Sequence, residues 1–282
     1  IGQEMDLFSF SQQGPGFPFY HPKGKQIINN LQAVMRKMWQ ANDYQEVSTP
    51  AMLDVDLWKQ SGHYHHYNHA MYFCNIDDRE FALKPMNCPG AIMIYQDKPR
   101  SFRDLPLKLA EFGHVHRHEL SGVLHGLFRV RAFTQDDSHI FCMPEQVEAE
   151  VIKIVSFIDR LLNLFEFTQI KYAVSTKPEN AMGSDANWVL ATDALMNALR
   201  AMNKEFVIQE GEGAFYGPKI EVKIKDSMDR EWQVSTVQVD FALPEKFNIA
   251  YIASGGSKQQ PVMIHQANFG SLERFFGILL EH

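Results

Sequence analysis

The apolar residues of this chain change period along its length, and the changes mark its elements. Between Lys25 and Ala41, Ile27, Ile28, Leu31, Val34, Met35 and Met38 recur every three or four positions, which predicts a helix with one buried side. Residues 44–50, YQEVSTP, then read as a strand closed by Pro50, which has no N–H to give to a ladder. Val147, Val151, Ile154, Ile158, Leu161 and Phe165 form a second stripe, predicting a helix over about 144–165, and a third helix is expected over about 185–202. Alternation at 169–175, 219–225 and 232–241 predicts strands, and ASGGSKQQP at 253–261 has the composition of a hairpin connection. Helices grouped apart from many strands imply an α+β fold, an antiparallel β-sheet flanked by helices.

One stretch carries more polar chemistry than packing needs. Side chains at i and i+2 of a strand share a face, so paired strands over 113–119 and 128–140 put Arg117 and Glu119 together. They also line up Arg129, Phe133, Gln135, Asp137 and His139. On the second strand the opposite register, Val130, Ala132 and Ile140, is small or apolar and packs. Mixed charges on a lone hairpin ordinarily face solvent. Phe133 among them, however, offers a flat ligand a surface to stack on.

Composition narrows the class without choosing a function. A chain of 282 residues with 45% hydrophobic content can bury one large core. No apolar run approaches the ~20 residues that span a bilayer, and IGQEMDLFSF is not a signal peptide, so a cytoplasmic protein is expected. Three cysteines, Cys74, Cys88 and Cys142, argue against a disulfide framework. A net charge of -7 lacks the global basic signature of a nucleic-acid binder.

Eight segments together are more specific. HRHE at 116–119, followed by LHGLFRVRAFTQDDSHIFC at 124–142, resembles the arginine-bearing hairpin of class II aminoacyl-tRNA synthetases, specifically the threonyl-tRNA synthetase family. KPMNCPG at 84–90, RDLPLKLAEFG at 103–113, GEGAFYGPKIE at 211–221, TVQVDF at 236–241, and VMIH with GSLERF within 262–275 are similar to the same enzymes, in order. The resemblance implies a single class II catalytic domain over 1–282, with the family's amino-terminal editing and carboxy-terminal anticodon-binding domains absent. It implies activation of L-threonine with ATP to threonyl-adenylate and pyrophosphate, then transfer to the 3′ end of tRNA(Thr). The alternative is a threonine-adenylating paralogue that serves a non-tRNA acceptor.

The resemblance also assigns residues. Cys88, His139 and His265 would hold one Zn2+, although they lie too far apart in sequence for spacing alone to single them out. Arg117 and Arg274 would be catalytic, neutralising phosphate charge. Glu119, Arg129, Phe133 and Gln238 would complete the ATP site, with Phe133 and Arg274 on the two faces of the adenine. Met86, Gln135, Asp137 and Tyr216 would hold threonine, and Glu221 or Gln238 would bind Mg2+. The first helix, the strand after it and Pro50 are implied to form the interface of a homodimer. tRNA affinity would be weak without the anticodon-binding domain.

Two features complicate this reading. GHYHHYNHA, with His63, His65, His66 and His69, looks metallic, but no cysteine or carboxylate is near it in sequence; a solvated or substrate-adjacent loop is expected. Gln266 and Asn268 stand where the family typically has arginine and an apolar residue. A charge lost beside the site is expected to weaken nucleotide or RNA contacts.

Overall fold

A computed structural model of the chain describes residues 1–282. A hairpin, β1 (Phe8–Ser11) and β2 (Gly14–Tyr20), precedes the long helix α1 (Pro22–Gln40). Proline in its first turn suits α1, because the missing N–H has no intrahelical acceptor there. Ile28, Leu31, Met35 and Trp39 bury its apolar stripe. The strand expected over 44–50 shrinks to β3 (Gln45–Glu46), and Pro50 is exposed beyond it.

The next thirty residues form a satellite that periodicity did not predict. β4 (Met52–Asp54), α2 (Val55–Gln60), α3 (His63–Tyr67), β5 (Tyr72–Ile76) and β6 (Arg79–Leu83) make a three-stranded sheet with its own small core of Trp58, Met71 and Ala82. The chain then enters the main body through α4 (Cys88–Gln96), β7 (Leu107–His116) and β8 (Ala132–Cys142).

Helix α5 (Val147–Leu164) buries Val147, Val151, Ile154, Ile158 and Leu161 as expected, with Phe165 just past its end. β9 (Lys171–Ser175), α6 (Asp185–Ala201), β10 (Phe206–Gln209), β11 (Lys219–Lys225), β12 (Glu231–Asp240) and α7 (Ala242–Lys246) follow. The hairpin of β13 (Tyr251–Ile252) and β14 (Lys258–Gln259) precedes β15 (Val262–Ser271) and α8 (Leu272–Glu281).

Eight strands form one sheet in the order β10-β9-β11-β12-β15-β8-β7-β3, antiparallel except where β9 meets β10 and β3 meets β7. Its two faces differ. One packs on α1, α5, α6 and α8 in a core that includes Ile140, Val237, Val262 and Ile264. Residues of opposite parity, such as Phe141 and Met263, join a second core with α4 and α7. The open part of that second face carries the site.

A buried ion pair ties β7 to the residue that follows β6, and Thr49, beyond β3, bonds to both partners. Lys84 Nζ lies 3.3 Å from Glu111 Oε2 and 2.8 Å from Thr49 Oγ1, with the charged side chains only 3% and 4% exposed. Lys84→Met would leave Glu111 without a cation, so a loss of about 3–5 kcal/mol is expected in urea unfolding. A loss under about 1 kcal/mol would show that the Glu111 carboxyl, which burial already pushes up in pKa, takes a proton at little cost.

Candidate active site and metal centre

The register of the sheet brings distant residues together. His139 on β8 pairs with His265 on β15, which pairs in turn with Gln238 on β12. Strand alternation places Asp137, Gln135 and Phe133 on the same face as His139. These residues line a cavity of about 790 Å³.

At one end, donor atoms of Cys88, His139 and His265 all lie within 4.8 Å of one another, and all three residues are buried. One thiol and two imidazoles form a donor set that suits zinc and leaves a coordination position open. Asp240 Oδ2 sits 2.9 Å from His265 Nε2 and fixes that ring, as carboxylates behind metal-binding histidines do. Burial holds the His139 pKa down at about 4 and pushes the Cys88 thiol well above its usual value, so the histidine is neutral at pH 7 while the thiol must lose a proton to a metal.

Beside the donor set lie the candidates for a small polar ligand. Asp137 Oδ2 accepts from Asn87 Nδ2 at 2.9 Å. Asn87 can sit there because Gly113 on β7 has no side chain; a Cβ would fall 2.2 Å from Asn87 Oδ1. Tyr216 Oη donates to Gln238 Oε1 at 2.6 Å, and its ring lies 4.8 Å from that of His265. Burial pushes the Tyr216 phenol far up, so it remains a donor.

The other end is basic and aromatic. Arg117 Nε donates to the Pro85 carbonyl at 3.1 Å, and its guanidinium carbon lies 5.1 Å from the Phe133 ring centre and 5.6 Å from that of Tyr67. Arg274 donates to the carbonyls of Phe128 at 3.0 Å and Gln233 at 3.2 Å. Burial, then the charges of Arg129 and Arg117, pull its pKa down, which favours binding an anion between them.

A family model described as the tRNA synthetase class II core domain (G, H, P, S and T) matches residues 72–282. Threonine–tRNA ligase of Carboxydothermus hydrogenoformans is 55% identical over the whole chain, which covers 44% of that relative; the ligase of Caldanaerobacter subterraneus is 53% identical with the same coverage. A solved structure described as the RNA binding domain of threonyl-tRNA synthetase from Cryptosporidium parvum superposes with a TM-score of 0.97 and 40% identity, covering 100% of this chain and 71% of that one. The chain belongs to the threonyl-tRNA synthetase family. It spans less than half the length of the curated threonyl enzymes it matches.

Of the site residues expected from the family resemblance, Met86, Cys88, Arg117, Glu119, Arg129, Phe133, Gln135, Asp137, His139, Tyr216, Gln238, His265 and Arg274 all line the one cavity. Glu221 does not. Its carboxylate lies 2.7 Å from Lys219 Nζ and 3.4 Å from Lys223 Nζ; burial raises its pKa, but the two lysines outweigh burial and leave it low. It is an ion-pair partner of both lysines.

The hairpin expected over 113–119 and 128–140 needs correcting. β7 stops at His116 and β8 starts at Ala132, so Arg117, Glu119 and Arg129 sit on the loop between them rather than on strand faces. Buried Arg131 organises that loop by donating to the carbonyls of Glu119 and Pro15. Glu119 accepts from Arg129, with Nη2 at 3.0 Å. The Phe133 ring is faced by Arg117, while Arg274 is held toward Phe128 and Gln233.

Gln266 and Asn268 also differ from expectation. Both side chains are fully buried on the helix-packed face, where Gln266 accepts from Tyr44 Oη and donates to Asn268 Oδ1 at 2.7 Å. Gln266 borders the cavity, but its side chain spends its hydrogen bonds behind the sheet, where the absent charge would have stood. In the histidine-rich segment, His65 and His69 are exposed, but His63 is wholly buried with Nε2 3.5 Å from Cys88 Sγ. His66 stacks on Phe215 and lines the cavity beside Tyr67. Tyr67 and Lys219 gave no sequence signal, because each meets the site only through tertiary packing.

Proposed function

We propose that this chain is the catalytic core of a threonine–tRNA ligase, activating L-threonine with ATP and passing the threonyl group to tRNA(Thr). The observation that carries the reading is the meeting, in one cavity, of a Cys-His-His donor set with an arginine and aromatic cluster. Cys88, His139 and His265 would hold Zn2+, a Lewis acid able to accept the amino nitrogen and hydroxyl oxygen of threonine.

The chain's own residues do the rest. Asp137 accepts the threonine hydroxyl hydrogen, Gln135 and Tyr216 orient the amino and carboxyl ends, and Met86 closes the pocket. The carboxylate is already ionised at neutral pH, so no general base is needed for its attack on the α-phosphorus. Arg117 and Arg274 reduce repulsion between the two anions with planar sets of donors, and Arg129 reaches the outer phosphate. Phe133 stacks the adenine and Glu119 accepts from its amino group. Gln238 would help to hold a Mg2+ that neutralises phosphate charge. A homodimer with Pro50 at its interface and a cytoplasmic location complete the proposal.

Pyrophosphate exchange tests it. Zinc-loaded protein is expected to exchange with threonine, more slowly with serine, which loses only a methyl worth ~1–3 kcal/mol, and ~10^4-fold less with valine, which has no hydroxyl. Stripping zinc should abolish the difference by abolishing exchange. Equal rates with threonine and valine would overturn the assignment. Exchange without charging of tRNA(Thr), even at tRNA concentrations high enough to offset weak affinity, would point to another acceptor.

A further inference from the structure

Asp136 lies between two cavity residues, Gln135 and Asp137, yet points to the other face of the sheet and is wholly buried. Its Oδ2 accepts from the backbone N–H groups of Asn268 at 2.9 Å and Phe269 at 3.1 Å, and its Oδ1 from that of Gly270 at 2.9 Å. These amides lie where the ladder breaks. Ala267 pairs with Asp137 and Ser271 with Gln135, so three residues of β15 face Asp136 alone. With that mismatch, their N–H groups need an acceptor from outside the ladder, and a carboxylate meets all three.

The turn so formed is tightly specified. Gly270 has φ +73°, and a Cβ there would fall 2.2 Å from the Val234 carbonyl oxygen. The next residue, Ser271, caps α8 by accepting from Arg274 N at 3.1 Å. The position of Arg274 thus depends on the turn, and the turn on one side chain of β8.

We infer that Asp136 is a positioning residue for the nucleotide half of the site: its carboxylate shapes the 268–270 turn that carries Arg274 to the cavity. The inference rests on the reading of Arg274 as an ATP-binding residue. A carboxylate suits the role because three convergent amide dipoles favour an anion, offsetting part of the burial that still pushes its pKa up to about 7. An asparagine would put its NH2 against at least one of those N–H groups, setting donor against donor.

The test is pyrophosphate exchange by the zinc-loaded chain, with KM measured separately for ATP and threonine. Arg274→Ala, Asp136→Asn and Tyr44→Phe are compared with the parent. Tyr44→Phe removes a buried hydrogen bond on the same face that reaches the turn only through the Gln266 side chain. Asp136→Asn is expected to raise KM for ATP about tenfold or lower kcat by a similar factor, with threonine KM and bound zinc unchanged, as Arg274→Ala does more strongly. Tyr44→Phe should show no such split.

If the asparagine variant yields too little folded protein, Gly270→Ala strains the same turn and should give the same ATP-selective pattern. A strong Arg274→Ala effect beside equal changes for both substrates in the turn variants would overturn the role of Asp136 alone. No effect from Arg274→Ala would overturn the reading of Arg274, and the inference with it.

Discussion

Cys88→Ala is expected to leave a folded chain that binds ATP but activates threonine at least ~10^4-fold more slowly, the discrimination available to a site built around a substrate hydroxyl. Cys88 opens α4 and is 2% exposed, so its thiol is held in place by the helix start. Without it, two imidazoles remain, one fewer protein ligand than a catalytic zinc site ordinarily uses. Losing a single buried sulfur should cost stability by only about 1 kcal/mol. Zinc content by atomic absorption and exchange rate should therefore fall together while the unfolding midpoint moves little. A variant with parental zinc content and parental rate would remove Cys88 from the site.

Arg117→Lys keeps the charge and loses the fork. The wild-type guanidinium is anchored by Nε on the Pro85 carbonyl and lies within cation–π distance of both Phe133 and Tyr67, which leaves its terminal nitrogens to meet a ligand. Lysine has neither the plane that rests on those rings nor a second donor at fixed angle. Removing one preorganised donor from a reacting centre costs roughly 10^2- to 10^3-fold in rate. Rapid-quench measurement of adenylate formation should show that loss in the rate constant, with threonine affinity changed far less. A loss under about threefold would mean that Arg117 supplies only diffuse charge.

The helices and central strands were legible because they keep one period for many residues and bury one side. The stripe of α5 is the clearest case. Short elements were not legible: β3 has two residues, and the satellite strands each have too few for alternation to register. Alternation separates the cavity face of β8 from the buried face, but it does not tell what Asp136, a charged residue on the buried side, binds there.

The same rule, applied one residue past His265, would have turned Gln266 away from the substrate. The metal trio could not be found from spacing, since its members meet only across a sheet. Glu221 could not be judged from sequence either. Lys219 and Lys223 flank it at i±2, but whether they spend their charge on it or on a ligand depends on side-chain conformation.

The strand that carries His265 comes last in the sheet yet lies near its middle, between β12 and β8. A ribosome therefore releases Cys88 and His139 well before the residue that joins them. Until β15 enters its slot, the half-built sheet offers a metal only two donors and exposes two unpaired strand edges. If the trio holds zinc as proposed, its capture would mark the completion of this sheet. A chain in which β8 and β12 had closed on each other by mistake would leave the ribosome unable to hold the ion, so a nascent chain's metal uptake would report whether its sheet had been put together in the right order.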